Sequence, residues 1–188
     1  MAADSVFDKA HAFVAHWEGG LDDDPRDPGG ITHWGVCLSF LKDFYRRHAD
    51  FLGSIGVMGP VTRETIKTLR KEQAKQIFRF EFWDRNHCED IAKTSPRLAT
   101  AFYDTSVNMG KEAAAKLLQT AVGAKADGII GPKTMQAVRE MGDFMAAAAL
   151  IELRKNRYLQ IVDKRPTSKC FLQGWFNRCS ALAVEVSK

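Results

Sequence analysis

Apolar residues recur at three- and four-residue spacing along almost the whole chain, while period-two alternation is nearly absent. A sequence with that single period buries helical stripes against one another, because it offers no continuous apolar face to a strand. Val6, Phe7, Ala10, Phe13, Val14 and Trp17 form the first stripe, with Ser5 and Asp8 placed like a capping box in front of it. The spacing predicts a helix over 5–18, stopped by Gly19-Gly20. Further helices are expected over 36–52, 62–84, 96–109, 112–122, 132–141 and 144–162, and a last one after Pro166 contains Gly174-Trp175. Only Gly29 to Gly35 has the composition of a short hairpin strand. The expected fold class is therefore all-α, in one domain or two lobes, with a short Gly-rich turn or hairpin after the first helix.

Composition narrows the class. With 188 residues, 45% hydrophobic and 27% charged, the chain can build a sizeable core, and disorder is excluded as its main state. Residues 1–94 hold 13 basic and 15 acidic side chains (net −2), and residues 95–188 hold 14 and 8 (net +6). The basic half suits an anionic polymer, nucleic acid or cell envelope, or is simply a solvated helical surface. The sign change near Lys93 to Pro96 marks the expected seam between 1–94 and 95–188. Cys37, Cys88, Cys170 and Cys179 form no CxxC pair and no dense framework, so neither a zinc module nor a disulfide scaffold is indicated. The N-terminus lacks the basic and apolar regions of a secretory signal. The longest apolar run, Phe144 to Ile151, is too short to span a bilayer.

The stretch WEGGLDDDPRDPGGITHWG, from Trp17 to Gly35, raises a chemical question. Glu18 continues the inward stripe Phe7, His11, Val14 and closes the first helix. Partial burial and the negative end of a helix both favour a protonated carboxyl, which is the form a general acid needs. Asp22, Asp23, Asp24 and Asp27 follow on a turn built from Pro25, Pro28, Gly29 and Gly30. A second carboxylate that stays ionised would hold a water or offset positive charge on a sugar ring. Asp27, set between Arg26 and Pro28, is the candidate for that role, and the Thr32 hydroxyl would share the water. The competing explanation is that Gly19-Gly20 caps the helix and the acids only form turns.

The string E-G-G-x-x-x-D-P-x-D-P-G-G-x-T-x-x-G, Glu18 to Gly35, resembles the motif of glycoside hydrolase family 108, the N-acetylmuramidases of phage endolysins and secretion-associated enzymes. By that resemblance Glu18 is the acid. The arrangement is similar to the Glu–Asp–Thr triad of phage-type lysozymes, in which the aspartate follows the glutamate by nine residues, as Asp27 follows Glu18. Leu21 stands where many members carry tyrosine, and the Asp-to-Thr step is one residue shorter than in those lysozymes. DGIIGPKT, Asp127 to Thr134, looks like the turn of the peptidoglycan-binding segment that follows the catalytic part in the same family, and FYDTSVNMG and FLQGWFNRC extend the likeness over nearly the whole chain.

The resemblance implies a lysozyme-like helical fold, with a muramidase lobe over 1–94 and a peptidoglycan-binding-like lobe over 95–188. It implies cleavage of the β-1,4 bond from N-acetylmuramic acid to N-acetylglucosamine, with no metal or organic cofactor. The expected partner is bacterial peptidoglycan, met by a monomer with no nucleic acid and no stable membrane insertion. An enzyme made in the cytoplasm without a signal peptide would reach the periplasmic wall through a holin or a dedicated release route. Trp34, Tyr103 and Asn108 are the expected glycan contacts, since an aromatic ring and an amide stack on and hydrogen-bond an acetamido sugar. For Tyr103 the alternative is a core ring, and for Asn108 a helix cap. His87-Cys88-Glu89 lacks a second cluster to complete a metal site. Two rival classes stay open at this point: a non-catalytic peptidoglycan-binding module and a basic helical nucleic-acid binder.

Overall fold

The computed structural model describes residues 5–23 and 30–188. Among them are ten α-helices and one hairpin of two short strands. The all-α expectation holds. Contacts group the chain into two units, one formed by the residues up to Ala10 with Phe82–Lys188, the other by His11–Glu81. This grouping differs from the seam expected between 94 and 95. Net charge reports on solvated side chains, whereas the units follow buried ones: Phe7 packs edge-on against Trp83 at 5.4 Å and Tyr103 at 5.8 Å, which ties the first turns of the chain to its C-terminal part.

The helix α1 (Val6–Glu18) begins as the sequence predicts. Ser5 Oγ donates to Asp8 Oδ2 at 2.6 Å and accepts from the Asp8 N–H at 3.2 Å. Within the unit His11–Glu81, the strands β1 (Thr32–His33) and β2 (Val36–Cys37) pair antiparallel, and α2 (Leu38–Ser54) follows directly. Leu41, Phe44 and Leu52 form the buried face of α2.

The single helix expected over 62–84 is broken into α3 (Arg63–Lys67), α4 (Lys71–Phe78) and a π-turn over Arg79–Trp83. Thr62 and Thr65 cap α3, and the Gln73 side chain accepts from the Arg70 N–H at 2.9 Å to start α4. Apolar periodicity cannot register such an interruption, because Ile66, Leu69 and Ile77 are all buried on either side of it. The π-turn sets Phe80 flat against Phe51 at 4.2 Å and Glu81 beside Arg47 at 3.3 Å.

The other unit adds α5 (Cys88–Ala92), which periodicity did not register, then α6 (Pro96–Met109), α7 (Lys111–Ala121), α8 (Pro132–Met141), α9 (Asp143–Lys164) and α10 (Leu172–Ser187). The bounds of α6 and α8 agree with the sequence reading because proline opens each helix, where a missing N–H costs nothing. Asp143 reaches from α9 to accept the backbone N–H groups of Arg97 and Leu98 at the start of α6. At the centre, Asp104 is fully buried and pairs with both Arg154 and Arg178. Arg154 also donates to the Tyr158 hydroxyl at 2.8 Å. All four cysteines are free thiols.

Candidate active site

The sequence places a carboxylate where a helix must stop, and the structure resolves how the chain turns there. α1 ends on Glu18, and Gly19 takes a left-handed conformation (φ 75°) that halts the helix. Asp22 and Thr32 exchange two backbone hydrogen bonds, each 2.8 Å, an isolated antiparallel bridge that pairs Asp22 with β1, whose Thr32 also pairs with Cys37 of β2. Thr32, half-buried, thus lies beside Asp22, and its hydroxyl donates to the Gly30 carbonyl at 3.3 Å. Asp23 forms an ion pair with Arg63 of α3. Asp27, the expected second carboxylate, lies outside the described residues.

The two residues joining β1 to β2 are Trp34 and Gly35, both with positive φ (53° and 78°). Gly35 is pressed against the catalytic candidate. A Cβ added there would fall 2.7 Å from Glu18 Cβ and 3.1 Å from both Glu18 Cγ and Phe78 Cζ. Only glycine supplies both the left-handed turn and the space. The Glu18 stem is therefore held between the hairpin turn and its own helix, while His11, further back on the same stripe of α1, packs against the Phe78 ring at 5.7 Å.

Trp34 is the half-open ring of this site, 36% exposed. Its indole N–H donates to the Leu69 carbonyl at 3.0 Å, its ring stacks on His33 at 4.7 Å, and Lys71 Nζ lies 6.0 Å from its centroid. His33 Nδ1 faces the Ile66 carbonyl at 3.1 Å, so that nitrogen carries the proton. The interruption between α3 and α4 acquires a purpose here. A continuous helix would engage the Leu69 carbonyl internally, whereas at the break it accepts from the Trp34 indole, and the Ile66 carbonyl, which takes the Leu69 N–H at 3.2 Å, also faces His33.

Glu18, Thr32 and Trp34 thus share one unit, with Gly35, His33 and Leu69 as supports that sequence reasoning did not single out. The glycine closing the motif was visible; its contact with Glu18 was not. Tyr103 and Asn108 belong to the other unit, both on α6. Tyr103, expected on a groove, is fully buried between the rings of Phe7 and Trp83, at 5.8 Å and 5.5 Å, and presents no face to a sugar. The expectation assumed one buried stripe, but α6 buries Ala101 to Ser106 without a break, so lying off the stripe does not mean exposure. Asn108 is exposed and accepts from the Tyr158 hydroxyl. His87-Cys88-Glu89 has structural partners: Cys88 donates to the Phe82 carbonyl at 3.4 Å, and Glu89 accepts from Trp83 Nε1 at 2.7 Å.

Residues 11–110 match the family model described as Glycosyl hydrolase 108, and residues 113–180 match the model described as Predicted Peptidoglycan domain. The chain is similar to a solved structure titled "Structure of Brucella abortus SagA", with 29% sequence identity and a TM-score of 0.78, over 98% of this chain and 95% of that one. No curated protein sequence matches it.

Proposed function

The chain belongs to the glycosyl hydrolase 108 family and is a peptidoglycan hydrolase of the N-acetylmuramidase type, and from that premise we propose that Glu18 is the general acid protonating the scissile glycosidic oxygen. Asp27 is the partner carboxylate that positions water or offsets the charge of the oxocarbenium-like state. The Thr32 hydroxyl gives its proton to Gly30, which leaves its lone pairs to accept from that water. Trp34 offers the sugar an apolar ring, since its only N–H is already spent on Leu69.

One observation carries this reading: the turn between β1 and β2 closes on Glu18 so tightly that residue 35 has to be glycine. A carboxylate serving only solubility gains nothing from such confinement. A general acid does, because proton transfer demands a fixed oxygen within hydrogen-bond reach of the leaving group.

Digestion of purified sacculi in ¹⁸O-water, followed by mass spectrometry, tests the reaction. The expected products end in muramic acid with the label on its anomeric carbon. New amine termini, or labelled N-acetylglucosamine ends, would overturn the assignment of the bond.

A further inference from the structure

A concavity of about 720 Å³ lies in the other unit, formed by the loop between α7 and α8 and the start of α8. Its frame is unusually well fixed for a loop. Gln119 of α7 is 1% exposed and holds the loop on its single amide: Nε2 donates to Asp127 Oδ1 at 2.8 Å and to the Ile129 carbonyl at 3.0 Å, and Oε1 accepts from the Gly128 N–H at 2.7 Å. Thr134, also buried, stands 3.3 Å from the same nitrogen. A buried amide satisfied by loop atoms makes the loop rigid, because releasing it would strand a polar group without water.

This rigid loop displays what a free loop would hide. Ile129 is 73% exposed beside the cavity, and exposed Lys125 and Lys133 flank it. Asp127 also lines the space, but its Oδ1 is committed to Gln119 and to the Ile129 N–H at 3.0 Å. The first turn of α8 receives no side-chain cap, which adds positive potential on the same side. None of the lining residues is aromatic.

We propose that this cavity seats the acidic peptide stem of peptidoglycan, with Lys125 and Lys133 meeting its carboxylates and Ile129 covering its methyl groups. The proposal rests on the reading of the chain as a peptidoglycan hydrolase. Charge and shape separate the stem from the glycan. With the lactyl group amidated, the sugar strand is neutral, and every anionic group of the uncrosslinked polymer lies on the stem. A site for the strand would carry aromatic platforms, whereas this one carries aliphatic groups with two cations against the single carboxylate of Asp127.

The test titrates the full chain with an N-acetylated L-Ala–γ-D-Glu–diaminopimelate–D-Ala tetrapeptide and, separately, with glycan stripped of its peptides, by calorimetry. The peptide is expected to bind the wild type, to lose affinity as salt is added, and to weaken roughly ten-fold in the Lys125→Gln/Lys133→Gln variant. Ile129→Ser is expected to weaken it as well, and thermal melts check that both exposed-site variants remain folded. Equal peptide affinity in wild type and variants would overturn the proposal, as would stripped glycan losing affinity in the variants instead. Glu18→Gln separates the two readings. If it abolishes hydrolysis while keeping peptide affinity, both stand. If it leaves hydrolysis intact, the active-site reading falls and the peptide titration still decides this one.

Discussion

Gly35 lies on Glu18 with no room for a side chain, a Cβ at residue 35 falling 2.7 Å from Glu18 Cβ. Gly35→Ala therefore meets two penalties, the positive φ of 78° and the clash. A non-glycine residue forced into this region costs about 1–3 kcal/mol. Relief of the clash has to come from Glu18 or from the hairpin, and either displaces the carboxylate. The expected outcome is a lower melting temperature together with at least a ten-fold loss of turnover on sacculi. A variant that melts lower but turns over normally would show that the contact serves stability alone.

The buried carboxylate of Asp104 compensates two guanidinium groups, those of Arg154 and Arg178. Burial works most strongly against the charge on Arg154, but the Asp104 charge and hydrogen bond, with Tyr158 and Cys179 adding to them, together outweigh it and raise the pKa of that arginine. Asp104→Asn removes the carboxylate that pairs with both arginines. It should cost about 3–5 kcal/mol, the range for breaking a buried pair and stranding its partner. Urea denaturation with an unchanged m-value would measure it. A loss below about 1 kcal/mol would mean that the cluster is wetter than its burial indicates.

Cys88 supplies a pH dependence. Burial first, then the nearby charges of Asp84 and Glu89, raises its thiol pKa well above the ordinary 9.0. The folded chain keeps this proton where the unfolded chain gives it up. Stability from this group is thus complete below 9.0 and declines as the pH rises beyond it. Urea midpoints measured under reducing conditions from neutral pH to pH 11 should fall at the alkaline end. Cys88→Ala should flatten part of that fall, and identical pH profiles for the two proteins would contradict the assignment.

Much of this was legible in the sequence, for reasons that can be named. The prolines opening α6 and α8 and the Ser5–Asp8 box fix helix starts locally, so reading them needs no tertiary information. Glu18 at a helix end before two glycines was equally local. The interruption at Leu69 was not, since the Leu69 carbonyl finds its partner in Trp34, far away in sequence. Tyr103 shows the same limit from the other side. Whether a polar-tipped ring faces solvent depends on what covers it, and Phe7 and Trp83 come from distant parts of the chain.

Catalysis rests on the carboxyl of Glu18, and Glu18→Gln tests this most directly because the amide keeps the shape and cannot supply the proton. Clearing of purified sacculi and retention of the protein on them should be measured together for wild type and variant. The variant is expected to lose clearing by at least about 100-fold, the lower range for removing a general acid, with retention unchanged. Clearing by the variant within a few-fold of wild type would contradict it.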